Sequence, residues 1–137
     1  MRFAFIVDTS ALVAMAIGEP GYLQLRAVFA DELGALPTPA LVEFHRVMAR
    51  PGNYPDPVAL QLIEDLGVVV LPFSGQAAIA AVVANEHYGS GNGRGGLLNM
   101  LDLMVYAVAK VEGLPILCTG NDFGSTDAAI HSASRIG

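Results

Sequence analysis

Residues 3–15 read FAFIVDTSALVAM and join an apolar run to an acid and a helix start. A short run of this kind, with Phe, Ile and Val, predicts a strand that is buried on both faces, as in a parallel sheet. Asp8 follows the run directly. Thr9 or Ser10 can then cap the next helix, because a hydroxyl accepts hydrogen bonds from its first free N–H groups. We therefore expect Asp8 at the carboxyl end of a parallel strand, where open α/β sheets hold their ligands.

The composition indicates one apolar and acidic domain that spans residues 1–137. Of the residues, 53% are hydrophobic and 15% are charged, and the mean hydropathy is +0.51. A chain of this length can bury a sizeable core. Its apolar surface predicts a homodimer or an obligate protein partner. The net charge of −6 argues against long-range attraction of nucleic acid, although bound cations can offset acids at a site.

Cysteine usage and hydropathy indicate a cytoplasmic protein. Cys118 is the only cysteine, which excludes a disulfide framework and fits a reducing compartment. Asp8 interrupts the N-terminal apolar stretch, and no apolar run approaches the roughly 18 residues of a membrane span. We expect no association with a membrane.

Strand and helix patterns alternate along the chain. Two further buried strands are predicted at residues 68–73 and 116–118, with a short strand at 34–37, and Ile136 could belong to a last edge strand. Helices are predicted between these strands, at residues 39–50, 58–66, 75–87 and 99–113. Such alternation predicts a parallel sheet with helices on both faces.

Four acids fall where this sheet would gather side chains. Asp8 and Asp122 follow strands, and Glu43 and Asp102 lie on helices that follow or face the same strand ends. Glu43 is near the middle of its helix and at the edge of the apolar face, so it is not a first-turn cap. Asp102 comes three residues after Asn99, where an acid can simply favour the helix dipole.

Carboxylates that share one crevice repel each other, so the predicted site needs cations. Oxygen ligands select hard ions, chiefly Mg²⁺ or Mn²⁺. The three histidines lack zinc-site spacing, and Cys118 has no cysteine partner. Two ions held by carboxylates suit phosphoryl chemistry, because one activates a water and the other stabilises the leaving oxygen. A carboxylate can also take the proton of that water.

Four segments carry these acids in chain order: IVDTSALVAM, PALVEF, LNMLDLMVYAVAK and CTGNDFGSTD. Together they resemble the VapC-type PIN-domain ribonuclease toxins, and the resemblance covers essentially the whole chain. It implies a three-layer α/β/α PIN-like domain with a central parallel sheet of four to five strands. It also implies an endoribonuclease that cleaves single-stranded RNA with Mg²⁺, for which Mn²⁺ can substitute, and a cognate antitoxin that neutralises it.

The resemblance also implies roles for individual acids. The catalytic quartet would be Asp8, Glu43, Asp102 and Asp122. Asp8 and Asp102 would be the most direct metal ligands, while Glu43 and Asp122 would bind metal directly or through water. Asp127 matches an auxiliary acid of the family and would also bind the metal directly or through water.

Residues around the quartet are supporting candidates. By position, Ser10, Thr119 and Asn121 are expected to contact the metal-binding carboxylates and not the metal itself. Residues 89–96 read GSGNGRGG, follow a helix and lack the Lys-Ser/Thr pair of a P-loop, so we expect a flexible connection. Arg94 is the only charge in that loop and is the candidate RNA contact, whereas related proteins usually carry several basic residues there.

Other functions fit part of the pattern. A non-catalytic α/β binding module could use the acidic pocket to capture a basic partner segment, and metal-dependent RNA cleavage would distinguish the two. An aspartyl-phosphate phosphatase would use Asp8 as nucleophile, but it needs a second acid two residues on, where this chain has Ser10. A hydrolase built on Ser10 and His131 lacks a nucleophile-elbow sequence.

Overall fold

The computed structural model describes residues 2–52 and 56–135. The elements run in the order β1 (Phe5–Val7), α1 (Thr9–Ile17), α2 (Tyr22–Asp31), β2 (Gly34–Pro37), α3 (Thr38–Met48), α4 (Asp56–Leu66), β3 (Val69–Leu71), α5 (Gly75–Tyr88), α6 (Met100–Glu112) and β4 (Ile116–Leu117). Helices flank the sheet, which confirms the predicted three-layer α/β/α arrangement. Within the described residues, no helix combines the length and the apolar character needed to cross a bilayer.

The four named strands form one parallel sheet in the order β3-β2-β1-β4. Ile6 of β1 pairs with Ala35 on one side and with Ile116 on the other. β1 is therefore a central strand, and its three residues are fully buried, as its apolar run predicts. The Asp8 N–H donates to the Leu117 carbonyl over 3.0 Å, so the carboxyl ends of β1 and β4 lie side by side.

Asp8 itself caps helix α1. Its side chain accepts a hydrogen bond from the Ser10 N–H, and its own backbone is extended, as an N-cap requires. The prediction that Thr9 or Ser10 caps this helix is wrong. Thr9 is already helical, and its hydroxyl donates to the Ala40 carbonyl of α3 over 3.2 Å. β1 thus passes directly into α1, and the acid occupies the junction.

The segment after residue 128 runs beside β4. Isolated parallel bridges join Ile116 to Ile130 and Thr119 to Arg135, so this segment extends the sheet without forming a continuous strand. The Arg135 guanidinium donates to Gln24 Oε1 over 2.8 Å and covers Gly21, where an added Cβ would lie 1.8 Å from Nη1. These contacts hold the chain beyond β4 against the rest of the fold. The predicted edge strand at Ile136 lies outside the described residues.

Candidate active site

Asp8 is a buried acid at the carboxyl end of the central strand. The residue is 7% exposed, and Oδ2 accepts two hydrogen bonds from Ser10, one from the backbone N–H at 3.1 Å and one from the hydroxyl at 2.5 Å. The Ser10 Oγ atom accepts in turn from the Thr119 N–H at 3.0 Å. Ser10 therefore joins the end of β1 to the segment that follows β4, and two of the predicted supporting residues lie directly behind Asp8.

Burial raises the pKa of Asp8, and the two hydrogen bonds from Ser10 oppose this rise only in part. The negative charges of Glu43 and Asp122 raise the pKa of Asp8 further. Both effects disfavour the carboxylate form, because a buried charge loses hydration and nearby like charges repel it. Asp8 therefore lies within electrostatic reach of an acid from α3 and an acid from the loop after β4.

Asp102 lies in the first turn of α6 and shares a capping box with Asn99. Its Oδ2 accepts from the Asn99 N–H at 3.1 Å, and Asn99 Oδ1 accepts from the Asp102 N–H at 2.9 Å. Burial raises the pKa of Asp102 to about 6, opposed by the bond from Asn99, and the charges of Asp8, Asp122 and Glu43 add to the rise. Asp102 therefore both caps a helix and belongs to the acidic cluster.

Glu43 and Asp122 complete the cluster from two further elements. Glu43 is half-buried near the middle of α3, and Asp122 is exposed in the loop after β4. The structure thus brings the four acids of the predicted quartet near one another, and the charges of Glu43 and Asp122 add to the raised pKa values of Asp8 and Asp102. Asp8 is the buried member, Glu43 and Asp102 are half-buried, and Asp122 is exposed. Asp122 is therefore the member most open to solvent.

The donor chemistry of this cluster fits a hard divalent cation. Every side-chain donor is a carboxylate oxygen, and in the described part of the chain the ion pairs involve other acids, namely Asp65, Asp127 and Glu32. In residues 2–52 and 56–135, no three His, Cys, Asp or Glu side chains lie close enough together to hold one ion. Mutual repulsion favours that separation, so coordination by three carboxylates would require the more exposed side chains to rotate inward.

Asp127, the predicted auxiliary acid, has other partners. Its Oδ1 accepts a hydrogen bond from the Tyr106 hydroxyl, and its Oδ2 lies 2.9 Å from Lys110 Nζ. These contacts hold the pKa of Asp127 below its ordinary value. Asp127 is not among the main causes of the raised pKa of Asp8 or of Asp102. Tyr106 and Lys110 were not singled out from the sequence, although they follow Asp102 at helical spacings of four and eight residues.

Arg94 lies exposed on a loop that has its own hydrogen-bonded structure. Asn92 Oδ1 accepts from the Arg94 N–H at 2.7 Å and from the Gly96 N–H at 3.2 Å, and its Nδ2 donates to the Glu86 carbonyl at 3.1 Å. Asn92 thereby ties the loop to the end of α5. The sequence interpretation of a simple flexible connection missed this residue, which an Asn among glycines could have indicated.

Asn121, the remaining supporting candidate, is exposed just before Asp122, and its carbonyl accepts from the Gly124 N–H at 3.0 Å. This bond closes a tight turn around Asp122.

A groove of about 540 Å³ lies between α5 and the start of α6 and reaches Asn99, the capping partner of Asp102. Its lining is mostly apolar, so it offers a contact surface beside the acids.

Comparisons with known proteins agree on one family. The sequence matches the PIN domain over residues 5–129. It is 37% identical over 125 residues to a VapC ribonuclease of Mycobacterium bovis, covering 89% of this chain and 95% of the relative. A ribonuclease VapC of Mycolicibacterium smegmatis is 36% identical over 129 residues, covering 92% and 99%. A toxin–antitoxin complex from Klebsiella pneumoniae contains a chain of the same fold, with a TM-score of 0.72 at 16% identity, covering 97% of this chain and 100% of that chain.

Proposed function

The chain belongs to the PIN domain family, and we propose that it is a Mg²⁺-dependent endoribonuclease, the VapC-type toxin of a toxin–antitoxin pair. The observation that carries this proposal is the electrostatic coupling of Asp8, Glu43, Asp102 and Asp122 at the carboxyl ends of β1 and β4. Acids that raise the pKa of their neighbours in this way are typical of functional sites. The names of the mycobacterial relatives support ribonuclease chemistry for the same fold.

Asp8 and Asp102 would hold the ion through their Oδ1 atoms, because each Oδ2 already accepts hydrogen bonds from Ser10 or Asn99. A bound Mg²⁺ supplies a water of lowered pKa and offsets the charge of the scissile phosphate. Glu43 and Asp122 would bind the ion directly or through water. Either carboxylate is exposed enough to accept the proton of the attacking water.

Single-stranded RNA is the substrate class that we propose. An unpaired strand can bring one phosphate down to the acids at the sheet end, which a stiff duplex does less readily. Arg94 is exposed on the loop that precedes α6, and it supplies a phosphate contact beside the site. The net charge of −6 keeps long-range attraction weak, so binding depends on the ion and on such local contacts.

The proposed partners are a cognate antitoxin and a second copy of the chain, and the proposed location is the cytoplasm. Exposed apolar side chains support protein partners: Ile79 and Val82 of α5 are 70% exposed, and Leu97 and Met100 are 65% and 66% exposed. The acidic cluster has no cationic side chain of its own among the described ion pairs, so a basic antitoxin residue would complement it. A complex with no basic side chain near Asp8 or Asp102 would contradict this mode of inhibition.

The test of the nuclease is cleavage of a single-stranded RNA by the purified full chain, with Mg²⁺, with Mn²⁺ and with excess EDTA. We expect cleavage with either ion, none in EDTA, and none for Asp8→Asn under any condition. Glu112→Gln at the exposed end of α6 is the matched control and should cleave like the unmodified protein. Undiminished cleavage in EDTA would contradict metal dependence.

A non-catalytic binding module is the second candidate function. One observation favours it: within the described ranges, no three potential ligands are close enough to share an ion. A module of this kind would bind a basic peptide through the acids, with or without Mg²⁺. Binding of such a peptide that is unaffected by Mg²⁺, together with no RNA cleavage at any metal concentration, would favour the module over the nuclease.

A further inference from the structure

Helix α6 carries a stripe of three polar residues that leads away from the acidic cluster. Asp102, Tyr106 and Lys110 are spaced four residues apart and therefore lie on one side of the helix. The first of them belongs to the proposed site. The other two hold the carboxylate of Asp127, which lies 17 to 21 residues further along the chain.

The loop between β4 and Asp127 carries Asp122 and has no helix or strand of its own. At its beginning, the Thr119 N–H donates to Ser10 Oγ at 3.0 Å, which fixes the loop to α1. At its far end, Asp127 fixes the loop to α6. Between these points Phe123 is buried at 2% exposure and anchors the loop in the core.

Hydrogen bonds within the loop connect Asp127 to the turn that contains Asp122. The Thr126 hydroxyl donates to the Phe123 carbonyl at 2.7 Å and accepts from the Ala128 N–H at 3.1 Å. The Gly124 N–H donates to the Asn121 carbonyl at 3.0 Å. A displacement of Asp127 from α6 would therefore reach Asp122 through a short and continuous chain of contacts.

The Tyr106–Asp127 bond is shielded from water on the tyrosine side. Tyr106 is 6% exposed, and its ring packs edge-on against Tyr88, with 5.4 Å between the ring centroids. A charge-assisted bond from a fixed ring is stronger and more directional than an exposed ion pair. The Lys110–Asp127 pair is the weaker contact, because both side chains are about half exposed.

We propose that Asp127 is a positioning residue, which Tyr106 and Lys110 hold so that the Asp122 loop keeps a fixed distance from the Asp102 helix. Both oxygens of Asp127 already accept hydrogen bonds from α6, so the proposal gives Asp127 a structural role and not direct contact with the metal. This inference rests on the proposed function, since a fixed distance between Asp102 and Asp122 matters only if they serve one site. It also assigns a role to Tyr106, a residue four positions from a proposed ligand on the same helix.

The structural test is amide hydrogen exchange on the full chain. Tyr106→Phe and Asp127→Asn should each accelerate exchange in peptides that cover residues 119–127 by about tenfold. This factor corresponds to the lower end of the free energy that a hydrogen bond to a charged group contributes. Peptides that cover residues 5–17 should exchange as before. Tyr22→Phe on α2 and Glu112→Gln are the matched controls and should leave residues 119–127 unchanged. Unchanged exchange in the loop, or equal acceleration in both regions, would overturn the proposal.

The functional test separates positioning from metal ligation. Tyr106→Phe and Asp127→Asn should each lower kcat by about tenfold with KM within about twofold, as a small misplacement of a reacting group does. The double variant should lower kcat by less than the product of the two single effects, because both changes weaken the same Tyr106–Asp127 contact. Multiplying effects would contradict the proposal. The proposal would also be contradicted if Asp127→Asn lost Mn²⁺ binding as completely as Asp8→Asn while Tyr106→Phe still bound Mn²⁺.

The two proposals fail in distinguishable ways. If the unmodified chain cleaves no RNA with any metal, the proposed function fails, and hydrogen exchange still decides whether Asp127 fixes the loop. If the chain cleaves RNA and the Tyr106→Phe and Asp127→Asn variants retain full kcat, the nuclease stands and the positioning role of Asp127 is wrong.

Discussion

The Ser10 hydroxyl donates to Asp8 Oδ2 at 2.5 Å, while Ser10 Oγ itself accepts from the Thr119 N–H at 3.0 Å. One side chain thus orients the buried acid and fixes the start of the loop that carries Asp122. Removing this hydroxyl leaves a buried carboxylate with one hydrogen bond fewer and a backbone donor without its acceptor. A buried polar group left without its partner lowers the free energy of unfolding by more than an average hydrogen bond contributes to it.

Ser10→Ala should therefore lower the free energy of unfolding by about 1–3 kcal/mol and reduce cleavage. The matched control is Ser74→Ala, which removes the N-cap of α5, where Ser74 Oγ accepts from the Ala77 N–H at 3.0 Å. Loss of that cap should cost about 1 kcal/mol and leave the specific activity of the folded protein unchanged. Urea unfolding and RNA cleavage measure the two effects. Equal activity in both variants would show that Ser10 has no role in the site.

The pH dependence of metal-free stability should report the raised pKa values of Asp8 and Asp102. An acid with a folded pKa above its unfolded pKa binds its proton more tightly when folded, so its charged form destabilises the fold. For Asp102 the pKa in the folded protein is about 6. The free energy of unfolding should therefore rise as the pH falls from above 6 toward the ordinary pKa of an aspartate. In EDTA, Asp102→Asn should weaken this dependence and add about 1 kcal/mol of stability near neutral pH. Thermal unfolding across the pH range, with Glu112→Gln as control, makes the comparison.

Mg²⁺ should stabilise the unmodified protein far more than Asp8→Asn. A ligand that binds only the folded state stabilises it by about 2.7 kcal/mol when its concentration is 100 times its Kd. Asp8→Asn removes one charge at nearly constant shape and should be at least as stable as the unmodified protein in EDTA. The measurement is Tm against Mg²⁺ concentration for both proteins and for Glu112→Gln. If all three respond equally, the acids do not form a metal site; if Asp8→Asn melts much lower in EDTA, Asp8 is mainly a helix cap.

Arg94→Ala should weaken RNA binding modestly and reduce the slope of log K against log salt by about 1, the value for one phosphate contact. The loop itself should persist, because Asn92 organises it through the backbone N–H of residue 94, not through the arginine side chain. Fluorescence titration of a labelled single-stranded RNA at several salt concentrations measures the slope. An unchanged slope with a collapse in kcat would instead make Arg94 catalytic.

Local sequence pattern was enough to predict the parallel sheet and the surroundings of the quartet, but the predicted burial of the strand at residues 68–73 is wrong, because β3 lies at the edge of the sheet and its Val70 is 42% exposed. The apolar run before Asp8 identified the central strand, and helical periodicity placed Glu43 on the inner edge of α3 and Asp102 in the first turn of α6. These features depend on neighbours within a few residues, so the sequence carries them directly. In a parallel sheet the carboxyl ends of the strands lie at one edge, and the prediction that the four acids converge rests on that general rule.

Only the tertiary structure decided which contacts each side chain makes. Asp8, not Thr9 or Ser10, caps α1, and Ser10 instead reaches Thr119, 109 residues away in sequence. Asp127 resembled a fifth site acid by motif, yet it lies against Tyr106 and Lys110 on α6. No local pattern specifies such pairs, because the partners compete for the same polar groups and the packing of the sheet and helices determines which of them come within hydrogen-bonding distance.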